Sequence, residues 1–170
     1  MTKKDVSVVI LMGSKSDEAL VSPCVDILQK LDISYVFTVS SAHRTPERTL
    51  TLVRECEAHG ARVFICAAGM AAHLAGAVAA RTTRPVIGIP ISGETLGGMD
   101  ALLSTVQMPT GFPVATVALN RAGARNAAWL AAQILAVSDP ELNAKIEKER
   151  SLMQAEVEAA GEEISKKYDG

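Results

Sequence analysis

Cysteine is scarce in this chain, and the spacing of its cysteines matches no metal or redox motif. Three cysteines, Cys24, Cys56 and Cys66, occur in 170 residues, and none of them forms a CxxC pair. An odd number of thiols within apolar or helical patterns is not the framework of a disulfide-stabilised protein or of a cysteine zinc site. We therefore expect three reduced thiols that fill core or helix positions.

Long apolar runs and an excess of one charge are also missing. No stretch approaches the roughly eighteen apolar residues of a membrane-spanning helix, and the opening MTKKDVSVVILMGSKSD meets a glycine and charges too early for a signal peptide. The formal net charge is −2, with 48% apolar and 21% charged residues, which is ordinary for a globular protein. These features predict a cytoplasmic protein that binds neither membrane nor nucleic acid.

Motifs for a metal or for a nucleotide phosphate are absent as well. The sequence holds no HExxH, no cluster of His, Cys and Asp with the spacing of metal ligands, and no GxxxxGK[ST] phosphate loop. We therefore expect no metal site and no P-loop.

What the chain does contain is a series of short apolar segments rich in β-forming residues, separated mostly by helical patterns. These segments span residues 5–12, 33–39, 62–67, 85–90 and 113–119. Such alternation is typical of a parallel sheet that is covered on both faces, because parallel neighbours need crossover connections. We predict an α/β protein, a three-layer αβα sandwich with a flavodoxin-like, doubly wound, five-stranded parallel sheet.

The starts of the first two helices can be located from proline and capping residues. The first helix begins near Ser16 and bends at Pro23, or begins at Pro23 with Ser22 as its cap, and we prefer the earlier start. The second helix is clearer, because Thr45 can cap it and Pro46 suits its first turn.

The C-terminal part has a different character, although residues 1–170 are predicted to form a single domain with a core at about 5–137. Alanine is so frequent at 121–137 that neighbouring backbones can approach closely, which favours a buried or shared helix. A charged helical extension follows at about 139–167. Its apolar positions repeat at eleven-residue offsets and so stay on one stripe; they are Leu142, Ile146, Met153, Val157 and Ile164. We predict that this stripe packs on another subunit, and the alternative is a helix folded back on its own domain.

Ligands of an open parallel sheet bind outside the carboxyl ends of its strands, and here this rule selects three loops. The first is GSKSD, residues 13–17, where Gly13 permits a tight turn and Ser14 and Ser16 offer hydroxyl groups beside the amides of a helix start. The alternative is structural, because Ser14 and Asp17 fit a capping box that would use both side chains to begin the helix.

The second loop is SSAHRTP, residues 40–46, in which His43 and Arg44 precede the predicted helix. Arginine presents a planar fork that suits phosphate or carboxylate. Histidine titrates near neutral pH, so it can donate and accept a proton within one turnover. The alternative is a solvated surface pair.

The third loop is AAGMAAHLAG, residues 67–76, whose small side chains let a flat ligand lie against the backbone. Gly69 and Gly76 supply freedom where the chain turns or packs closely. His73 falls in the first turn of the next helix, near the positive end of its dipole. The alternative for His73 is a hydrogen-bonded core histidine.

The remaining histidine and the aromatic residues lie elsewhere. His59 precedes Gly60 at a helix C-terminus, where capping and the dipole account for it. The aromatic residues, all outside the three loops, are Tyr35, Phe37, Phe64, Phe112, Trp129 and Tyr168. The loops therefore offer nothing that would stack on the ring of a flavin.

Several motifs occur together and in order along the chain. They are GSKSD (13–17), SAHRTP (41–46), G-x-AAHL (69–74), QMPTGFP (107–113) and NAAWLAAQIL (126–135). With these motifs the chain resembles the N5-carboxyaminoimidazole ribonucleotide mutase family, the class I form of the purine-pathway carboxylating enzyme, from about residue 5 to residue 145. In three places the family pattern is not kept: Met70 stands where glycine is frequent, and Ala67 and Ala75 stand for a common glycine and proline. Met70 and Ala75 bear on the shape of the base pocket.

The resemblance implies an octamer in which C-terminal helices reach neighbouring subunits, and an isomerase that needs no ATP, metal or cofactor. The implied reaction converts N5-carboxyaminoimidazole ribonucleotide to 4-carboxy-5-aminoimidazole ribonucleotide, with His43 as the acid and base. Ser14, Asp17 and Arg44 would hold the ribose and phosphate. The full set of implied substrate-binding residues is Gly13, Ser14, Ser16, Asp17, Ser41, Arg44, Gly69, Met70, Ala71, His73 and Leu74.

Two other functions remain open on the sequence. One is a class II carboxylase that uses free CO2 and aminoimidazole ribonucleotide, although the AAHL segment with His73 favours the mutase. The other is a non-catalytic module that binds phosphorylated ligands, with a capped GSKSD turn and a solvated His43.

Overall fold

Five parallel strands form the centre of the molecule in the computed structural model, which describes residues 5–168. The strands are β1 (Val8–Met12), β2 (Tyr35–Val39), β3 (Val63–Gly69), β4 (Val86–Ile91) and β5 (Ala115–Thr116). Their order across the sheet is β2-β1-β3-β4-β5, and each neighbouring pair is parallel. The predicted doubly wound sheet is confirmed, whereas residues 1–4 and 169–170 of the predicted domain lie outside the described part.

The fifth strand is shorter than the predicted segment 113–119, because only Ala115 and Thr116 pair with β4. Pro113 has no N–H to donate to the ladder. At the other end the chain enters the next helix at Asn120, whose φ of 55° ends the extended conformation.

Helices cover both faces of the sheet and complete the predicted three layers. They are α1 (Glu18–Val21), α2 (Pro23–Lys30), α3 (Pro46–Ala58), α4 (Leu74–Ala79), α5 (Met99–Val106), α6 (Asn120–Ala136) and α7 (Pro140–Tyr168). One core cluster joins the sheet to α2, α6 and the start of α7, and the other joins it to α3 and α4. The alternation along β1 shows why: Val8 and Ile10 belong to the first cluster and Val9 and Leu11 to the second. Each such side chain stabilises the fold by about 1.5–3 kcal/mol when buried.

The three thiols lie in this core, as the sequence predicts. Cys24, Cys56 and Cys66 are free and buried. Removal from water disfavours a thiolate, so burial raises the pKa of all three, to about 12 for Cys24.

The helix starts agree only in part with their predicted caps. A 3₁₀ turn at Lys15–Asp17 leads directly into α1, which confirms the earlier start, and the helix breaks at Ser22 before Pro23. The capping role of Thr45 is wrong, because its side chain makes no cap hydrogen bond to α3. Its hydroxyl instead accepts a hydrogen bond from the Ser41 N–H and donates one to the Ser41 carbonyl, both at 3.1 Å, and so closes the loop before the helix.

The C-terminal helices differ in how far they are covered. Small residues of α6, including Gly123, Ala127 and Ala131, are buried, in agreement with the close approach that the alanine content predicts. In α7, Leu142 and Ile146 pack in the chain's own core. The other three stripe positions are exposed on the single chain and are Met153, Val157 and Ile164. The stripe is therefore covered by its own domain at its first two positions and exposed at the other three.

Candidate active site

The sheet order places the predicted loops side by side. β1 lies between β2 and β3, so its carboxyl end touches both neighbours. The Gly13 N–H donates to the Ala67 carbonyl at 2.9 Å, and the Ser40 N–H donates to the Met12 carbonyl at 2.9 Å. The loops at 13–17 and 40–46 and the loop that follows β3 therefore begin at one edge of the sheet.

Two histidines from different loops are stacked at this edge. His43 lies in the turn after β2, and His73 lies immediately before α4, one residue earlier than predicted. Their ring centroids are 5.5 Å apart and their planes differ by 4°. Both side chains are exposed, so the core alternative for His73 is wrong. The pair offers two imidazoles, each able to hold or release a proton, on one open face.

The GSKSD loop uses part of its side chains to begin its helix. Ser14 Oγ accepts a hydrogen bond from the Ser16 N–H at 3.2 Å and lies 2.8 Å from Ser16 Oγ. Ser16 Oγ also lies 3.1 Å from the Asp17 carboxylate. Burial raises the pKa of the Asp17 carboxyl, while the hydrogen bonds from Ser16 and the Ser14 backbone act in the opposite direction. Ser14 therefore does cap the turn, and its hydroxyl remains on the exposed side of the loop.

The SSAHRTP loop is anchored to α3 by a buried hydrogen bond, and His43 and Arg44 in it are exposed to solvent. Its base is fixed by the hydrogen bond between Ser40 and Thr49, whose hydroxyl oxygens are 2.8 Å apart and buried. Higher in the loop, the Arg44 N–H donates to Ser41 Oγ at 3.2 Å. The Arg44 guanidinium has no hydrogen-bond or ion-pair partner within residues 5–168. Arg48, at the start of α3, differs because its Nε donates to the Val39 carbonyl at 3.3 Å. Of these two neighbouring arginines, Arg44 is therefore the one whose guanidinium is available to an anion.

The loop after β3 combines a close backbone approach with an exposed turn. A Cβ at Gly69 would lie 2.9 Å from the Ile91 carbonyl oxygen, so this position accepts only glycine without a shift of the backbone. Met70 and Ala71 are exposed. Leu74, which the resemblance places among the substrate-binding residues, is 2% exposed and belongs to the core.

A groove between α3 and α4 adjoins the histidine pair. It has a volume of about 340 Å³ and is lined in part by Ala42, Pro46, His73, Gly76 and Arg81. Ligand pockets usually hold about 300–1,000 Å³. The groove is large enough for a small ligand, and small residues on α4 keep it open.

A fourth loop, residues 92–98, also lies at this edge, and the sequence reasoning missed it. Gly69 pairs with Ile91 at the ends of β3 and β4, so this loop begins beside the third. Asn120 fixes it, because its Oδ1 accepts from the Ser92 N–H at 2.9 Å and its Nδ2 donates to Ser92 Oγ at 2.6 Å. The rule of carboxyl strand ends, applied to the apolar segment 85–90, would have found this loop.

Neither a metal-binding cluster nor a membrane-spanning helix is found among the described residues. Within 5–168, no group of three or more His, Cys, Asp or Glu side chains is arranged to hold a metal ion. Among the helices of the same range, none has the length and apolarity to cross a membrane. His59 makes its ring contact with the Glu55 carbonyl at 2.6 Å at the end of α3, as its position before Gly60 predicts.

Comparisons with known proteins agree on one family. The family model described as AIR carboxylase matches residues 7–156. An N5-carboxyaminoimidazole ribonucleotide mutase of Brucella melitensis is 46% identical over 160 residues, which cover 94% of this chain and 97% of that protein. A protein of the same name from Escherichia coli K12 is 46% identical over 150 residues, 88% of this chain and 89% of that protein. The crystal structure of Treponema denticola PurE is 30% identical, has a TM-score of 0.79, and covers 94% of this chain and 96% of its own. On the family match and the identity over almost its whole length, the chain belongs to the AIR carboxylase family.

Proposed function

We propose that this protein converts N5-carboxyaminoimidazole ribonucleotide to 4-carboxy-5-aminoimidazole ribonucleotide in purine biosynthesis, without ATP, metal or cofactor. The names of its curated relatives support the reaction. The observation that carries the assignment to this chain is the stack of His43 on His73, which places the imidazole of His43, the proposed acid and base, at the strand ends where ligands of this fold class bind. We also propose that the protein works in the cytoplasm.

The first half of the reaction is a protonation that breaks a bond. His43, in its protonated form, gives its proton to the carbamate nitrogen of the substrate. The bond between that nitrogen and the carboxyl carbon then breaks, its electron pair stays on nitrogen, and CO2 and aminoimidazole ribonucleotide are formed. Proton transfer by a positioned side chain contributes roughly a hundredfold to ten-thousandfold to the rate.

The second half returns the same carbon to a different atom. The electron-rich C4 of the imidazole attacks CO2, and a C–C bond forms. The neutral His43 then removes the proton from C4, which restores the aromatic ring and the original charge of the histidine. No atom is gained or lost overall, and holding CO2 beside C4 avoids its recapture from solution.

The other site residues hold the two ends of the substrate in this proposal. Arg44 takes the phosphate, because its guanidinium is exposed and has no competing contact in the described chain. Ser14 and Asp17 hold the ribose, supported by amides and hydroxyls at Gly13, Ser16 and Ser41. The segment 69–74 seats the ring and the migrating carboxylate.

We also propose that the protein is a homo-oligomer, with eight subunits as the resemblance implies, and the surface that the single chain leaves exposed supports this proposal. Met153, Val157 and Ile164 present an apolar stripe on α7, and His43 and His73 lie open to solvent. A reaction that retains CO2 needs a closed chamber, and a neighbouring subunit can supply the missing wall. Size-exclusion chromatography with light scattering tests this point, and a monomer at assay concentration would refute it.

The central experiment replaces one imidazole and keeps the other in place. We expect His43→Asn to bind ligand and fold normally but to lose at least about a hundredfold in turnover, measured by absorbance of the carboxylated imidazole. His59→Asn is the matched control, because this histidine is also exposed and its ring contacts the Glu55 carbonyl at the end of its own helix, away from the strand-end loops. Near-normal turnover by His43→Asn would exclude the mechanism.

Arginine variants test the phosphate end separately. Arg44→Ala is expected to weaken binding by roughly tenfold or more, because a charged hydrogen bond is worth about 1.5–3 kcal/mol. Arg54→Ala, another exposed arginine on α3, should leave affinity unchanged. Equal affinities for the two variants would remove the phosphate role of Arg44.

The choice of substrate separates a mutase from a carboxylase. Wild-type protein without ATP receives either N5-carboxyaminoimidazole ribonucleotide or aminoimidazole ribonucleotide with bicarbonate. Product from the first at low CO2 supports the mutase. Product only from the second would identify a carboxylase, and binding without product from either would identify a non-catalytic module.

A further inference from the structure

Met70 has a backbone conformation that methionine rarely adopts. Its φ is 56°, in the left-handed region, where the Cβ of an L-residue is crowded. Among residues 5–168, two other non-glycine residues share a positive φ, Asp32 and Asn120. Both are of the types that tolerate this region, and both have side-chain hydrogen bonds: Asp32 accepts from Lys145, and Asn120 holds Ser92. Methionine has neither advantage.

The single chain provides no packing that would compensate for this strain. The Met70 side chain is 72% exposed, so it gains little from burial. Its carbonyl accepts a hydrogen bond from the Ala72 N–H at 2.8 Å, which fixes the tight turn in which the side chain projects outward. Strained residues of this kind persist chiefly at ligand sites, where the strain belongs to the mechanism.

Met70 is also the one large apolar side chain that the three site loops expose. Apart from the two histidines, the loops 13–17, 40–46 and 69–74 contain no aromatic residue, and their other apolar side chains are alanines, Pro46 and the buried Leu74. Met70 follows directly on Gly69, in the same loop as His73. A methionine side chain is flexible and polarisable, and its sulfur makes favourable contacts with aromatic rings.

We infer that Met70 is a specificity-determining residue whose side chain folds over the heteroaromatic base of the ligand and forms the apolar side of its pocket. The inference rests on the proposed function, since it takes the aminoimidazole ring as the occupant. The contact excludes water from one face of the ring, and the exposed apolar surface of Met70 becomes buried only when the ligand is bound.

This role predicts a loss that depends on the base and not on the phosphate. Met70→Gly should bind aminoimidazole ribonucleotide roughly twofold to tenfold more weakly, the range of a sulfur–aromatic contact. The same variant should bind ribose 5-phosphate, which has no base, as the wild type does. Met70→Leu keeps an apolar side chain of similar volume and should recover most of the affinity. Isothermal titration calorimetry of the wild type and the two variants with each of the two ligands measures these affinities.

A second measurement follows the side chain itself in the wild-type protein. Dilute hydrogen peroxide oxidises accessible methionines, and mass spectrometry reads the rate at each position. Saturating aminoimidazole ribonucleotide should slow the oxidation of Met70 severalfold, and ribose 5-phosphate should not. Met99, which is 56% exposed and lies on α5, serves as an internal reference whose oxidation rate should not respond to either ligand.

The outcomes separate this inference from the function beneath it. If wild-type protein forms the carboxylated imidazole but Met70→Gly binds both ligands normally and Met70 is not protected, the inference is refuted and the function stands. If wild-type protein neither binds nor converts the ribonucleotide, both fail. A loss of affinity for ribose 5-phosphate in Met70→Gly would show a general distortion of the loop and would also refute a contact with the base.

Discussion

The hydrogen bond between Ser40 and Thr49 fixes the base of the loop that carries His43. Removing the Ser40 hydroxyl and removing the Thr49 hydroxyl should cost different amounts of unfolding free energy. Thr49 Oγ1 donates to the Thr45 carbonyl at 3.2 Å, so its proton is committed and the Ser40 hydroxyl acts as the donor between the two side chains. Ser40 and Thr49 are 1% and 4% exposed. No water can therefore replace a lost partner without disturbing the packing.

The expected costs follow from which group is left without a partner. Ser40→Ala leaves Thr49 donating to Thr45, so it should cost about 1 kcal/mol of unfolding free energy, the net value of a hydrogen bond. Thr49→Val leaves the buried Ser40 hydroxyl without an acceptor and should cost about 2 kcal/mol, within the 1–3 kcal/mol range for an orphaned group. The double variant has no orphan and should cost about 1 kcal/mol less than the sum of the two.

Urea unfolding followed by circular dichroism measures these values, with all variants at one protein concentration because subunit association adds to apparent stability. Thr105→Val is the matched control: Thr105 is 3% exposed and donates to the Ala101 carbonyl at 2.7 Å, but it has no partner hydroxyl to orphan. Thr49→Val should therefore cost more than Thr105→Val. Strict additivity in the double variant, or a larger cost for Ser40→Ala than for Thr49→Val, would refute this account of the bond.

Two further predictions concern the core. A Cβ at Gly88 would collide with methyl groups of Thr105 and Val114, so Gly88→Ala should destabilise the protein by about 1–3 kcal/mol in the same unfolding assay. Gly161 on α7 has open space around it, so Gly161→Ala should stabilise the protein by about 0.5–1 kcal/mol. Equal effects of the two substitutions would contradict this description of the packing. Because burial raises the pKa of the Cys66 thiol and of the other two, a disulfide exchange reagent at pH 8 should modify fewer than one thiol per chain in folded protein and all three after unfolding, and rapid modification of the folded chain would show the cores to be open.

The fold could be predicted from the sequence because its strands are buried on both faces. A strand such as Val8–Met12 has no polar side to interrupt it, so it remains a continuous apolar run that a short window detects. The alternation with helices then implies crossovers and a parallel sheet. The two-residue β5 lies at the edge, where fewer neighbours reinforce the pattern, and its predicted length was accordingly wrong.

The site could be predicted only as separate loops. Strand-end reasoning found the loops of His43 and His73, but their stacking depends on which strands are neighbours, and the order β2-β1-β3 is a property of the crossovers. Thr45 was expected to cap its helix because local statistics favour it. Its φ and ψ of −138° and 57° turn the hydroxyl back to Ser41, and no propensity contains that choice.

The C-terminal helix α7 is attached to the core at one end only. Its core contacts are confined to Leu142 and Ile146, and two ion pairs, Lys145 with Asp32 and Lys30 with Glu149, brace the same end. From Ile146 the rod runs about 33 Å to Tyr168, so a tilt of about 10° at the fulcrum sweeps the tip through about 6 Å. Because salt weakens solvent-exposed charge pairs such as Lys145 with Asp32, high ionic strength should hold this end of the helix less firmly and widen the range of positions open to the tip of a single chain.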